Sequence, residues 1–213
     1  MIYYHSRFGF DFVSFIVLIF GIWTVKEIKA RYFTESELIE IGSAPSFSLI
    51  NQYNKTISDK DFKDKVYVVE FFFSTCPTIC PKMNQNMLEI EKQFISNDNF
   101  GIVSITINPE NDTYQVLKNH ADHLGVSHKN WYFLTGDKDY IYEIANKGFN
   151  LYASQNKKVA GGFEHSGFFA LINKDGNIRC RKDEFGNPIL YYDGLEKSGI
   201  DAIKEDIKIL LEE

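Results

Sequence analysis

Two cysteines four residues apart are the most reactive feature of this 213-residue chain. They stand in the segment Cys76-Pro77-Thr78-Ile79-Cys80-Pro81, which follows an apolar run and precedes a helical pattern. A thiolate is stabilised at a helix N-terminus, because the free N–H groups and the helix dipole favour negative charge there. Side chains at positions i and i+4 of one helical turn point the same way. The two sulfurs can therefore form a disulfide or chelate a soft metal ion.

The spacing of the two cysteines limits the chemistry that their site can have. A thioredoxin-type redox pair has two intervening residues, whereas Cys76 and Cys80 have three, which argues against a standard dithiol oxidoreductase. A structural zinc site usually has four protein ligands. The third cysteine, Cys180, has no partner by spacing, and we interpret it as structural. Copper(I) is a soft ion that two thiolates and one imidazole bind well.

Among the five histidines, His165 is the candidate third ligand. It lies in a glycine-containing loop that leads into a predicted strand, and ligand groups gather at strand ends in α/β sheets. On this local pattern alone, a structural role for a loop histidine fits at least as well. His120, His123 and His128 form a second group, but their surroundings are polar and we interpret them as solvent-facing. His5 precedes an apolar segment and is a poor candidate.

Hydrophobic patterning predicts the elements that position these groups. Residues 66–73 (VYVVEFFF) are predicted as a central strand that is apolar on both faces. Residues 81–95 are predicted as a helix, and we interpret its Met83 and Met87 as core packing rather than copper ligands. Asp112 is predicted to cap the next helix. Further strands are predicted at 46–50, 100–107, 131–134, 167–172 and 178–181, and further helices at 112–123, 138–147 and 195–211.

The order of these elements, β-α-β-α-β-α-β-β-α, indicates an α/β sandwich with some antiparallel pairing. The composition agrees, because 44% hydrophobic and 15% aromatic residues supply a substantial core and exclude an intrinsically disordered chain. The net charge of −6 argues against nucleic acid as a partner, since duplex binding needs a basic face. Three cysteines are too few for a disulfide-built scaffold.

The first thirty residues differ from the rest of the chain. Residues 8–25 are apolar apart from Asp11, Ser14 and Thr24, and at ~1.5 Å per residue they span roughly 27 Å, close to the thickness of a bilayer core. The segment has neither a small-residue cleavage site nor a cysteine for lipidation. We therefore predict a transmembrane anchor in residues 1–30, followed by a soluble domain over 31–213. A buried core helix is the alternative interpretation.

Four motifs follow one another between Ala44 and Leu211. They are C-P-x-x-C-P at Cys76–Pro81, a variant of D-P-x-x-D-T at Asn108–Thr113, W-x-x-L-T-G at Trp131–Gly136, and H-S-x-x-x-x-L-I from His165 to Ile172, before Asp175-Gly176. Together they resemble the Sco/SenC family, copper chaperones of cytochrome c oxidase assembly with a thioredoxin-like fold. The resemblance implies a three-layer sandwich with a central mixed β-sheet. It also implies that Cys76, Cys80 and His165 are copper ligands.

Two positions depart from the family pattern. Asn108 replaces the usual aspartate, and Thr78 stands where many members have an acidic residue between the cysteines. Both changes remove negative charge near the metal loop. We expect them to alter partner docking or cysteine reactivity rather than the ligand set.

The resemblance implies a membrane-anchored metallochaperone that holds copper(I) and passes it to a cytochrome c oxidase subunit. The rival interpretation is an enzyme, a thiol–disulfide oxidoreductase that reduces the cysteines of the oxidase copper site. In that reaction Cys76 attacks and Cys80 resolves the mixed disulfide. A peroxiredoxin-like peroxidase fits less well, because its usual Pro-x-x-x-Thr-x-x-Cys segment is absent before Cys76. His165 separates the first two interpretations, since only the chaperone needs it.

The direction of membrane insertion rests on conflicting signals. Lys26, Lys29 and Arg31 follow the apolar segment, and the positive-inside rule alone would keep the domain in the cytoplasm. A cysteine pair that cycles between thiol and disulfide instead suits an oxidising compartment. The family resemblance favours the same side. We therefore expect a single pass through the cell inner membrane, with the soluble domain on the periplasmic side.

Overall fold

The computed structural model describes residues 15–24 and 38–213. Residues 15–24 form a helix whose large apolar side chains are exposed. The predicted anchor, residues 8–25, extends beyond this helix into positions outside the described residues. Neither described stretch contains a helix with both the length and the apolarity that a membrane crossing requires. Leu38–Glu213 forms a unit of its own.

A mixed sheet forms the centre of this unit. Its strands are β1 (Ile39–Ser43), β2 (Ser48–Asn51), β3 (Thr56–Ser58), β4 (Val66–Phe72), β5 (Phe100–Thr106), β6 (Trp131–Thr135), β9 (Phe168–Ile172) and β10 (Asn177–Lys182), with β11 (Pro188–Ile189) and β12 (Tyr192–Asp193) added at β10 and β9. The order is β1-β10-β9-β4-β5-β6-β2-β3. Strands β4, β5 and β6 run parallel, and β9 pairs antiparallel to β4. A separate two-stranded sheet pairs β7 (Ala153–Gln155) with β8 (Phe163–His165).

Helices cover both faces of the sheet. They are α1 (Cys80–Phe94), α2 (Tyr114–Leu124), α3 (Lys138–Glu143), which continues as the π-turn Ile144–Gly148, and α4 (Lys197–Glu212). The ring of His120 on α2 stacks on Phe72, and Phe149, which follows the turn after α3, packs on Phe71. Because successive side chains of a strand point to opposite faces, these helices lie on opposite sides of β4. The expected three-layer α/β sandwich is confirmed.

Strand β4 is buried along its whole length, as the run of Val and Phe predicts. The prediction of two apolar faces is wrong at one position, because Glu70 lies in the middle of the strand and is fully buried. Parallel strands covered on both sides normally consist of apolar residues. A buried acid at this position therefore needs a specific explanation, which its surroundings provide.

Asp112 does not cap α2, contrary to prediction. The cap is Thr113, whose side chain accepts a hydrogen bond from the backbone N–H of Val116, and the helix begins at Tyr114. The helix ends as its sequence suggests, with Gly125 at φ +77°, a conformation that glycine adopts without a steric penalty. Asp112 is instead buried and bonds to a different part of the chain.

Candidate metal centre

The cysteine loop joins β4 to α1. Cys80 is the first residue of α1, with Pro81 next in the helical turn, where a missing N–H costs nothing. Cys76 lies in the preceding loop, and its N–H donates to the carbonyl of Phe73. Only Cys80 therefore belongs to the helix, and a turn of the loop, rather than one helical turn, brings Cys76 towards it. Both cysteines are buried and neither forms a disulfide.

His165 completes the group at the end of β8. The ligand atoms of Cys76, Cys80 and His165 all lie within 4.8 Å of one another, and together they could hold a metal ion. The His165 Nε2 atom is 3.1 Å from the Cys80 sulfur, and its Nδ1 atom is 3.0 Å from the carbonyl oxygen of Ser166. A carbonyl can only accept, so Nδ1 carries the proton and Nε2 presents its lone pair to the sulfurs.

The two thiols shift each other's pKa. The neighbouring Cys80 side chain, with a smaller contribution from Thr78, holds the pKa of Cys76 far below its ordinary value despite partial burial. The interaction with Cys76, together with burial, raises the pKa of Cys80. Two ionisable groups this close titrate as a pair rather than independently. The reduced pair therefore carries its negative charge on Cys76 and its proton on Cys80.

Glu70 lies beneath this centre and was missed as a functional candidate. Its Oε1 atom accepts a hydrogen bond of 2.6 Å from Ser104, whose hydroxyl accepts one from the indole N–H of Trp131. Its Oε2 atom has no hydrogen-bond partner among the described residues. Burial raises the pKa of Glu70 to about 7, and its charge contributes to the raised pKa of Cys80. The sequence signal was a single acidic residue inside an apolar strand.

Asp112 ties the cysteine loop to the end of β5. Its carboxylate accepts hydrogen bonds from the N–H of Ser74 at 2.9 Å, from the hydroxyls of Ser74 and Thr106, and from the side-chain amide of Asn111 at 2.8 Å. A buried carboxylate with this many donors is held firmly in place. The loop that carries Cys76 is thereby fixed two residues before the cysteine.

The other candidates lie outside the group. The interpretation of the second histidine group as solvent-facing is correct for His123 on α2 but wrong for His128, which is buried with its ring bonded to the backbone of Asn97 and Asn130. It is also wrong for His120, which is half-buried because its ring packs against Phe72 and Phe133. Cys180 is buried in β10, as its interpretation as structural requires. The buried residues Met83 and Met87 belong to the hydrophobic core on α1, as predicted. His5 lies outside the described residues.

Comparison with known proteins identifies the family. The sequence profile of SCO1/SenC matches residues 40–198, about three quarters of the chain. This chain belongs to the SCO1/SenC family. The resemblance that the four motifs indicated is thereby confirmed, and the mixed sheet is the thioredoxin-like fold of Sco proteins.

Individual relatives support the assignment. The SCO1 protein homolog of Bacillus subtilis (strain 168) is 34% identical over 166 residues, which cover 76% of this chain and 79% of the relative. The crystal structure of a SCO1/SenC family lipoprotein from Bacillus anthracis str. Ames superposes with a TM-score of 0.70 at 26% identity, covering 82% of this chain and 97% of the other. Yeast Sco1, solved with copper bound, gives a TM-score of 0.59 at 26% identity, covering 78% and 88%.

Proposed function

We propose that this SCO1/SenC protein binds one copper(I) ion through Cys76, Cys80 and His165 and delivers it to a cytochrome c oxidase subunit. The observation that carries the proposal is the meeting of two sulfurs and one imidazole nitrogen within 4.8 Å. Two thiolates and a neutral imidazole form a soft ligand set that suits copper(I). The copper-bound structure of yeast Sco1 supports the same choice of metal.

Each residue of the group has a defined task. Cys76 supplies a thiolate without further proton loss, because its pKa is low. Cys80 must release its proton when the metal binds, so loading releases one proton per copper ion to solvent. His165 keeps Nε2 free for the metal, because its Nδ1 proton is committed to the carbonyl of Ser166. Cys76 is the more exposed of the two cysteines, at 8% against 2% for Cys80, so incoming ligands of an acceptor reach Cys76 first.

Copper loading of the reduced chain tests this proposal. We expect X-ray absorption of the copper(I) form to show two sulfur ligands and one nitrogen ligand. His165→Ala should lose the nitrogen and bind copper more weakly, whereas His123→Ala, on the exposed face of α2, should match the unaltered protein. An unchanged coordination shell in the His165 variant would remove this residue from the site.

The paired thiols favour a second function, reduction of a partner's disulfide. The Cys76 thiolate would attack the disulfide and form a mixed disulfide, releasing one partner thiolate. Cys80, as its thiolate, would then attack Cys76, closing the Cys76–Cys80 bond and releasing the second partner thiolate. The protein loses two electrons and the partner gains them. This activity should survive His165→Ala, whereas copper binding should not.

We further propose that residues 8–25 anchor the protein in the cell inner membrane with the domain on the periplasmic side. The helix at 15–24 and its exposed apolar side chains support an anchor. A membrane-impermeant thiol reagent, applied to intact cells after mild reduction, should label Cys76. Protection of the thiols until the membrane is broken, followed by full labelling, would place the domain in the cytoplasm.

A further inference from the structure

The hairpin formed by β7 and β8 carries both a metal ligand and a basic turn. His165, at the end of β8, pairs with Ala153, so the ligand lies at the base of the hairpin. Residues 156–162 form the turn at its tip. The turn is well defined, because the Asn156 side chain accepts from the N–H of Lys158, and the N–H of Gly162 donates to the carbonyl of Val159.

The tip of the hairpin rests on the cysteine loop. A β-carbon placed on Gly161 would come within 2.9 Å of Pro77 and 3.0 Å of the Phe73 ring, and φ at Gly161 is +84°. Only glycine allows this backbone to approach so closely. The rings of Phe163 and Phe73 also pack with their centroids 5.3 Å apart. The turn and the cysteine loop therefore form one continuous surface beside Cys76.

This surface is basic although the chain is acidic. The exposed lysines of its two segments are Lys82 in the first turn of α1 and Lys157 and Lys158 in the hairpin turn, none of which forms an ion pair within 15–24 and 38–213. Lys138, which donates to Gln155 directly before the turn, pairs with Glu110, so this neighbouring pair adds no net charge. Glu164 is the one acid in the two segments 73–82 and 156–167, and its carboxylate accepts hydrogen bonds from Tyr152 and Asn156.

The charge count separates this surface from the rest of the molecule. Three lysines and one glutamate give the two segments a net charge of +2, which leaves −8 on the remainder of a chain whose total is −6. Thr78 lies in the same surface and is neutral.

We propose that the surface formed by the hairpin turn, with its Lys157 and Lys158, and the adjoining cysteine loop docks an acidic face of the protein that accepts the copper ion. This inference rests on the proposed chaperone function. Ligand exchange requires the acceptor's ligands to reach Cys76, so the acceptor must cover the surface beside that residue. An acidic partner is attracted to this surface and repelled by the negative remainder of the chain, which orients the encounter.

Charge reversal tests the docking surface. The partner is the reduced, metal-free copper-binding domain of the oxidase subunit, and its binding to the metal-free full chain in detergent is measured by calorimetry at low and high salt. Stopped-flow spectroscopy then measures copper transfer. We expect Lys157→Glu combined with Lys158→Glu to weaken binding and slow transfer about tenfold at low salt, with most of the difference gone at 0.5 M salt. Copper stoichiometry should not change.

A matched pair of lysines controls for net charge alone. Lys60 and Lys63 are also exposed and precede β4, at the end of the strand opposite the cysteine loop. Lys60→Glu combined with Lys63→Glu should change binding and transfer less than twofold. An equal effect of both double variants, or no effect of either, would overturn the proposal.

Two further outcomes distinguish the docking proposal from the proposed chaperone function and from lipid binding. Failure of the unaltered protein to load copper would refute the proposed function, whereas the binding measurement on the metal-free chain would still decide the docking surface. Vesicles containing anionic phosphatidylglycerol serve as the other arm. If the Lys157/Lys158 variant loses vesicle binding but keeps normal affinity for the acceptor, the surface binds lipid and the docking proposal is wrong.

Discussion

Two regions of this domain bury ionisable groups in opposite ways. Asp206 on α4 is fully buried, and its carboxylate accepts two hydrogen bonds of 2.7 Å from Arg181 and one of 2.6 Å from Tyr192. Glu70, beneath the metal centre, has a single donor, and its second oxygen has no partner among the described residues. A saturated buried charge is a fixed part of the structure, whereas an unsaturated one favours its neutral form. The buried carboxylate on α4 is therefore fully paired, whereas the one beneath the candidate metal centre is sensitive to protonation.

The largest loss of stability is expected when Asp206, the saturated carboxylate, loses its cationic partner. Arg181→Leu leaves the Asp206 carboxylate buried without its cation, and we expect the free energy of unfolding to fall by about 3–5 kcal/mol. Urea unfolding followed by circular dichroism measures the change. Arg179→Leu is the matched control on the same strand, because its carboxylate partner Glu213 is exposed. Arg179 also donates to the Leu38 carbonyl, and we expect the loss of both interactions to cost less than the Arg181 change. Equal losses of unfolding free energy in the Arg181 and Arg179 variants would show that burial of the carboxylate partner makes no difference.

Replacement of Glu70, the unsaturated acid, should stabilise the protein, whereas replacement of Arg181 should destabilise it. The raised pKa of Glu70 means that the folded state binds its proton more tightly than the unfolded state, whose glutamate pKa is near 4.5. Its stabilising contribution is complete below the unfolded value and is lost as the pH rises through about 7. Glu70→Gln removes that loss, so the variant should gain on the order of 3 kcal/mol over the unaltered protein between pH 4 and pH 8.

Unfolding at several pH values measures the Glu70 prediction. The difference between Glu70→Gln and the unaltered protein should grow from pH 4 to pH 8 and then level off, because no further ionisation of Glu70 follows. Glu89→Gln on the exposed face of α1 is the control for removing a glutamate charge outside the core, and its difference should change less than that of Glu70→Gln. A difference for Glu70→Gln that stays constant over the same range would show that Glu70 ionises normally in the folded chain.

Asp112 is, like Asp206, a buried carboxylate with several hydrogen-bond donors, but it lies beside the candidate metal centre. Its replacement therefore tests stability and copper binding together. Asp112→Asn replaces an acceptor by an amide whose NH₂ group faces the donors of Ser74, and we expect a loss of about 1–3 kcal/mol in unfolding free energy. Weaker copper binding should accompany it, because the cysteine loop loses its attachment to β5. Asp122→Asn, on the exposed side of α2, should cost well under 1 kcal/mol. Undiminished copper affinity in Asp112→Asn would show that the loop holds its shape without it.

The smallest expected effect concerns the reactivity of Cys76 and Cys80 towards an alkylating reagent. The lowered pKa of Cys76 keeps its thiolate present at acidic pH, so alkylation of the reduced, metal-free chain should stay fast well below the ordinary thiol midpoint of about 8.5. Cys80→Ala should move the midpoint upward, because the neighbouring Cys80 side chain is the main cause of the shift. Mass spectrometry that found Cys180 alkylated first would contradict this order of reactivity.

Local patterns determined much of the chain. The apolar run predicted β4, the periodic Met and Ile residues predicted α1, and the paired cysteines between them indicated the chemistry. These features depend on neighbours within a few residues, since strand and helix periodicity act over that range. The same local logic failed at Asp112, because its partner Ser74 is 38 residues away and competes successfully with a cap interaction. Glu70 escaped notice because six of its seven companions in the run are apolar and the seventh is Tyr67.

Only the tertiary structure places His165 beside the two cysteines. The sequence around it was equally consistent with a structural loop histidine, and the family resemblance, not the local pattern, assigned it as a ligand. The antiparallel pairing of β9 with β4 and the separate β7–β8 hairpin bring its Nε2 atom to Cys80, 85 residues earlier in the chain. Such a contact depends on strand order, which residue spacing does not encode. The sequence thus determined which groups could react, and the sheet topology determined which of them meet.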